Sequence, residues 1–122
     1  MILILEDDDA LKEILSLCLD SLDAKYKVSS SCEEAIDFMR SNEPLLLLAD
    51  MRLTKEDSTE AIAYCRSHYK NCHTVLFTAM PKKLAKEVAD KLHMDDVLLK
   101  PFEMDQLFSL INCTKSVTAQ RT

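Results

Sequence analysis

A chain of 122 residues that is 48% hydrophobic carries enough apolar material for one domain with a true core, and leaves no room for a second. Its formal net charge of −6, with no stripe of Lys and Arg, excludes direct nucleic-acid binding, because phosphate contacts need clustered cations. The glycine count is zero, which rules out a P-loop, a dinucleotide-binding fingerprint and a Gly-x-Ser-x-Gly nucleophile elbow.

No apolar run approaches the ~20 residues of a membrane span, and the short apolar start followed by acids is unlike a secretory signal. The expectation is a cytoplasmic protein without a membrane partner. Five cysteines, at 18, 32, 65, 72 and 113, form no Cys-x-x-Cys pair and are odd in number, so they read as reduced, mostly packed thiols. His68, His73 and His93 have no partners at a metal-ligand spacing and read as surface or helix-end residues.

In chain order, Ile2 to Leu5 is a short apolar strand that stops on Glu6, Asp7, Asp8 and Asp9. Leu11, Ile14, Leu15, Cys18 and Leu22 recur at helical spacing, with Asp8 or Asp9 as the N-cap. Tyr26 to Ser29 reads as a weak second strand. Ser31 and Glu34 make a capping box for a helix that turns Cys32, Ala35, Ile36 and Met39 inward. Pro44 then opens the run Leu45-Leu46-Leu47-Leu48-Ala49, which ends on Asp50-Met51-Arg52; an apolar run of this length between Pro and charge is a strand buried on both faces. A polar loop from Arg52 to Asp57 leads to a helix with Ala61, Ile62, Cys65 and Tyr69 on one side. Thr74 to Phe77 is the fourth strand and ends on Thr78. Pro81 starts a helix predicted to bury Leu84, Ala85, Val88, Ala89 and Leu92. Val97 to Leu99 is the fifth strand and ends on Lys100-Pro101. The last helix presents Met104, Leu107, Phe108 and Ile111, and residues 113–122 read as a polar tail or the start of a linker.

Five alternations of strand and helix with connections of this length imply right-handed crossovers and a doubly wound parallel α/β sheet with helices on both faces. The strands then end on acids, an acid, a hydroxyl and an amine along one rim: Glu6 and Asp7, Asp50, Thr78, Lys100. In open parallel sheets that rim is where ligands bind. Carboxylates without imidazole or thiol neighbours form a hard-oxygen site suited to Mg²⁺. An Asp can attack phosphorus, a lysine and a divalent cation can neutralise the transferring group, and a hydroxyl can hydrogen-bond it.

On these residues the sequence resembles the receiver domains of two-component response regulators. Ile-Leu-Glu-Asp-Asp at 4–8, Leu-Leu-Ala-Asp-Met-Arg-Leu at 47–53, Phe-Thr-Ala at 77–79 and Leu-Lys-Pro-Phe at 99–102 are similar to the family's four motifs, in the family's order. The resemblance implies a receiver domain over residues 1–112 with the flavodoxin-like strand order 2-1-3-4-5. It implies that Asp50 is the phosphoacceptor and that the metal site comprises Asp7, Asp50, the backbone carbonyl of Arg52 and, through water, Glu6. Thr78 would be the switch hydroxyl, Lys100 the phosphate-binding amine, and the Lys100-Pro101 peptide bond cis. The implied partners are Mg²⁺, a histidine kinase or phosphotransfer protein, and an output domain or target at the face of helix four, strand five and helix five, with a phosphorylation-linked homodimer as a further expectation. Such a protein catalyses its own aspartyl phosphorylation and dephosphorylation rather than acting as a conventional enzyme.

Three positions depart from the family pattern. Thr54-Lys55-Glu56-Asp57-Ser58 replaces a Pro-Gly-x-x-Gly segment, His93 replaces a glycine before strand five, and Val97 stands where an aromatic switch residue is expected. Those departures keep a second reading open, a pseudo-receiver that binds partners without turning over phosphate. A haloacid-dehalogenase-like phosphatase is disfavoured because it needs a second Asp two residues after the nucleophile, and Arg52 is there. The Arg52 side chain is expected to lean toward the acids and partly neutralise them.

Overall fold

The computed structural model describes residues 1–121, with side chains described through residue 112. Its elements are β1 (Ile2–Leu5), α1 (Asp9–Ser21), β2 (Tyr26–Ser29), α2 (Cys32–Met39), β3 (Leu46–Asp50), α3 (Thr59–His68), β4 (His73–Thr78), α4 (Lys82–Lys91), β5 (Asp96–Leu99) and α5 (Met104–Arg121). The strands form one sheet in the order β2-β1-β3-β4-β5, every pair parallel. The expected flavodoxin-like α/β topology is therefore the observed one. The expected boundary to a polar tail at 113–122 lies outside the residues whose side chains are described.

Alternation along each strand explains why the apolar runs are unbroken. Leu47 and Ala49 of β3 face one side, with Leu3, Leu5 and Leu76, under α2, α3 and α4; Leu46 and Leu48 face the other, with Ile2, Ile4, Val75, Phe77 and Leu98, under α1 and α5. The register pairs Leu5 with Ala49 and Asp50 with Phe77, so the polar residues that follow each strand emerge side by side.

Local signals set the helix starts. Asp8 caps α1 by accepting the Leu11 N–H at 3.1 Å. Ser31 accepts the Glu34 N–H at 3.1 Å, while the Glu34 carboxylate reaches back to the N–H of Ser30, one residue earlier than a capping box requires. The inward set of α2 is as predicted, with Cys32, Ala35, Ile36 and Met39 all buried.

Three helices turn differently from their sequence pattern. In α1 the buried line is Leu15 and Leu19, whereas Ile14 is 47% exposed. In α4 the sheet is met by Ala85 and Ala89, whose small side chains let the helix sit close, and Leu84 stays 46% exposed on the flank. In α5 Leu107 and Ile111 are buried, while Met104 and Phe108, expected inward, are exposed. Each apolar stripe is wider than the strip of sheet available to it, so the i, i+4 pair nearest the sheet is buried and its flank is left in solvent.

Without glycine, two helix ends are closed by residues with a Cβ in the left-handed region: Asp23 after α1 (φ 54°) and His93 after α4 (φ 57°). Both ends make the same paired turn, with Ala24 N–H donating to Leu19 O at 3.0 Å and Met94 N–H to Ala89 O at 2.8 Å. The loop after β3 also closes without glycine, through an Arg52–Asp57 bridge, a Leu53 N–H to Glu56 O bond of 2.8 Å and the burial of Leu53. The His93 turn yields the first prediction. Replacing His93 by Gly removes the left-handed penalty at an exposed site and should raise stability by roughly 0.5–1 kcal/mol, after the added freedom of the unfolded chain is subtracted. Urea unfolding should show a higher midpoint at unchanged slope; an unmoved or lower midpoint contradicts the account of this turn.

Candidate functional site

The sheet reverses its winding between β1 and β3, and Glu6 and Asp7 follow β1 beside Asp50 at the end of β3, at the rim of that crevice. Between two of them sits Lys100, from the end of β5. Its ammonium donates to Asp50 Oδ2 at 2.9 Å and to Glu6 Oε2 at 3.1 Å, and lies 4.6 Å from the centroid of the Phe77 ring. Phe102 supports that ring edge-on at 5.7 Å. The Lys100-Pro101 bond is cis, as expected, and the Lys100 N–H donates to Thr78 O at 2.8 Å, closing β5 onto β4.

Each acid has a different environment. Glu6 is 1% exposed and uses both oxygens, one for Lys100 and the other for the Asp8 N–H at 3.1 Å. Burial pushes its carboxyl above the usual glutamate range and the nearby Asp50 charge adds to this, against the two hydrogen bonds. Asp50 leaves one oxygen to accept the Arg52 N–H at 3.2 Å. Asp7 accepts a hydrogen bond from the Thr54 N–H of the β3–α3 loop, and its contacts with Thr54 hold its carboxyl below the usual range. Burial pulls the Lys100 ammonium down, but its bonds to Asp50 and Glu6 outweigh this and leave it above the usual lysine value. Lys100 therefore carries its positive charge at neutral pH.

Thr78 is buried at the end of β4, its hydroxyl oxygen accepting the Met80 N–H at 3.1 Å. Asp50, Arg52, Thr78, Ala79, Met80 and Lys100 line one open cavity of about 460 Å³ beside the acids. The sequence-predicted residues thus converge, with one correction. The Arg52 side chain makes no ion pair with the acids among the described residues; Lys100 neutralises them instead, because β5 delivers its amine between two carboxylates while Arg52 stands exposed at the loop mouth. Sequence reasoning also missed the Asp7–Thr54 bond, which no spacing could signal across 47 residues. Val97 pairs with Leu76 in the sheet and is half-buried against the core on the α4 side.

Among the described residues no three His, Cys, Asp or Glu side chains stand close enough to cage an ion unaided. Mg²⁺ takes one or two carboxylates and fills its other positions with water or substrate oxygens. Asp7 and Asp50 are the carboxylates that would hold such an ion, and no described residue donates to the Arg52 carbonyl.

The doubly wound sheet thus carries an acid crevice at its switch point, a hydroxyl at the end of β4 and a lysine bridging two carboxylates. The comparisons with known proteins make the class specific. The family model for the response regulator receiver domain matches residues 2–112, and the chain belongs to that family. The transcriptional regulatory protein SrrA of Staphylococcus aureus is 23% identical over 99% of this chain, which spans about half (52%) of that relative's length. A response regulator structure from Chloroflexus aurantiacus is 28% identical with a TM-score of 0.82, covering 93% of this chain and 94% of that one. The receiver domain of the Pseudomonas aeruginosa sensor histidine kinase PA1611, with a magnesium ion coordinated in its active-site cleft, is 22% identical with a TM-score of 0.79, over 89% and 91% of the two chains.

The Lys100 bridge yields the second prediction. Lys100→Met leaves Glu6 buried beside Asp50 with no cation and should cost about 3 kcal/mol, most of it recovered in the Glu6→Gln/Lys100→Met double variant. A carboxyl whose folded pKa is raised contributes stability at low pH and loses it as pH rises through that pKa. The deficit of Lys100→Met should therefore be small in acid, where Glu6 is protonated, and grow toward a plateau as pH rises. Urea midpoints from pH 4 to 8 test this; a deficit independent of pH removes Glu6 from the explanation.

Proposed function

We propose that this chain is a phosphorylation-dependent signalling module in which Asp50 accepts a phosphoryl group from a histidine kinase, a phosphotransfer protein or a small phosphodonor. The observation that carries the reading is Lys100 Nζ within 2.9 Å of Asp50, with Thr78 on the wall of the same cavity. The Arg52 N–H and the Lys100 ammonium hold the Asp50 carboxylate in one orientation, so an oxygen is presented without further ordering. Transfer breaks the phosphorus–nitrogen bond of a phosphohistidine, forms a phosphorus–oxygen bond on Asp50 and returns a proton to the imidazole. The negative charge then sits on phosphoryl oxygens rather than on Asp50. Lys100 follows it, and the Thr78 hydroxyl, which now only accepts from Met80, has its proton free to donate. Asp7, Asp50 and the Arg52 carbonyl would hold Mg²⁺, with Glu6 on one of its waters, and the ion would supply charge neutralisation at the transferring group. The site lies on a cytoplasmic signalling domain in this reading, and no described helix is long and apolar enough to cross a membrane.

The third prediction is chemical. With Mg²⁺, acetyl phosphate or phosphoramidate should add one phosphoryl group to the wild-type chain and none to Asp50→Asn, read by intact-mass spectrometry. Equal labelling of both moves the acceptor elsewhere, and labelling of neither makes the chain an interaction domain without phosphoryl turnover.

Output leaves through the face of α4, β5 and α5, where a cleft of about 490 Å³ includes Lys82, Lys86, Val97, Leu99 and Gln106 and meets an output domain or target. Val97 is β-branched and too short to sweep from surface to site as an aromatic would. The mobile part is Thr78 with Met80, whose N–H is bound to the Thr78 hydroxyl and whose flexible side chain packs at the edge of the core. The fourth prediction is that a phosphoryl mimic changes amide shifts or hydrogen exchange mainly in residues 78–84, with β5 nearly still. Large changes centred on Val97 and α5 with none near Met80 contradict this route.

A further inference from the structure

α3 is the middle helix of the three on its face of the sheet, and its outward ridge is made of small residues, exposed Ala63 and Ser67 one turn apart. That ridge borders two clefts of opposite charge. Between α2 and α3 lies a cleft of about 860 Å³ with Glu33, Asp37, Glu56 and Glu60 on its walls, and its one cation, Arg40, is already paired with Asp37. Between α3 and α4 lies a cleft of about 450 Å³ walled by Lys91, His93 and Arg66, the last 3.7 Å from Asp95, over apolar Ile62 and Leu92, with no carboxylate among the described lining residues. Ala63 and Ser67 line both. At the acidic edge, the Tyr64 ring is stacked on His68 with centroids 3.9 Å apart, a rigid aromatic of the kind that anchors interfaces.

We propose that the α2–α3–α4 face is a self-association surface, on which two copies of this chain pair about a two-fold axis running along the α3 ridge past Ala63, so that each acidic cleft faces the partner's basic one. A two-fold axis lying in the interface and parallel to the ridge exchanges the two sides of that ridge, so a feature on one side meets the feature on the other side of its partner. Two clefts of opposite sign flanking a low ridge are self-complementary under that operation. In a chain of net charge −6, two copies repel in most other orientations, and this register places cation against carboxylate twice. The small ridge residues allow the two α3 helices to approach closely. The two clefts share no lining residue with the Asp50 cavity or with the cleft of the α4–β5–α5 surface, so pairing needs neither phosphate nor metal.

Sedimentation equilibrium of the unphosphorylated, metal-free chain tests the assignment independently of Asp50 chemistry. The weight-average mass should rise from monomer toward dimer with concentration, and added salt should lower it. Glu60→Lys and Lys91→Glu, both at exposed positions, should each weaken pairing by roughly tenfold or more. An equimolar mixture of the two variants should restore it, because the reversed charges then oppose each other across one pair of clefts and native charges across the other. A wild-type chain that stays monomeric at every concentration assigns the face to another protein or to none, and overturns the proposal. So does a pairing that survives either reversal, or that the mixture fails to restore.

Discussion

The carboxyl rim of this sheet is held by one ammonium group. Lys100 is the first residue beyond β5, and it binds an acid from beyond β1 and another from the end of β3 while its backbone N–H is tied to β4. Remove its charge and two carboxylates face each other in a region where one of them has almost no access to water. Its position on the face of Phe77 extends the same dependence into the core, since that ring is fully buried and braced by Phe102. The electrostatics of the site and the closure of the sheet's edge are therefore one arrangement.

Topology makes this possible. Because β1 and β3 are neighbours at the centre of the sheet, the residues that follow them leave into a crevice with helices departing on opposite faces. The parallel register brings the acids to one height. β4 and β5 then add Thr78 and Lys100 from the same side. Each strand is only four to six residues long, so no side chain on the rim is far from the buried layer that positions it.

The parts of the molecule legible in the sequence were those governed by short-range rules. Apolar runs with polar stops located the strands, Asp8 and Ser31 marked helix starts, and the ends of β1, β3, β4 and β5 carried the residues that meet at the site. What escaped was phase and partnership. A periodic stripe tells that α1 is amphipathic, but whether Ile14 or Leu19 is buried depends on how the helix rolls on the sheet, and the sheet is assembled from distant segments. Arg52 and Lys100 are both cations near the acids in the motif order; only the geometry shows that Lys100, 94 residues from Glu6, is the one in contact. The two clefts beside α3 draw residues from three helices and the loop before α3, which no local pattern connects.

The turns at Asp23 and His93 carry a consequence for the whole chain. A protein without glycine bears a side chain or a closed ring at each of its 122 positions, so its disordered form samples a narrower range of backbone conformations than a chain of ordinary composition. Among the described residues, the strain that this composition imposes is confined to two helix ends. The reduced entropy of disorder is spread along the entire length, so part of what favours this fold resides in the state that has no fold at all.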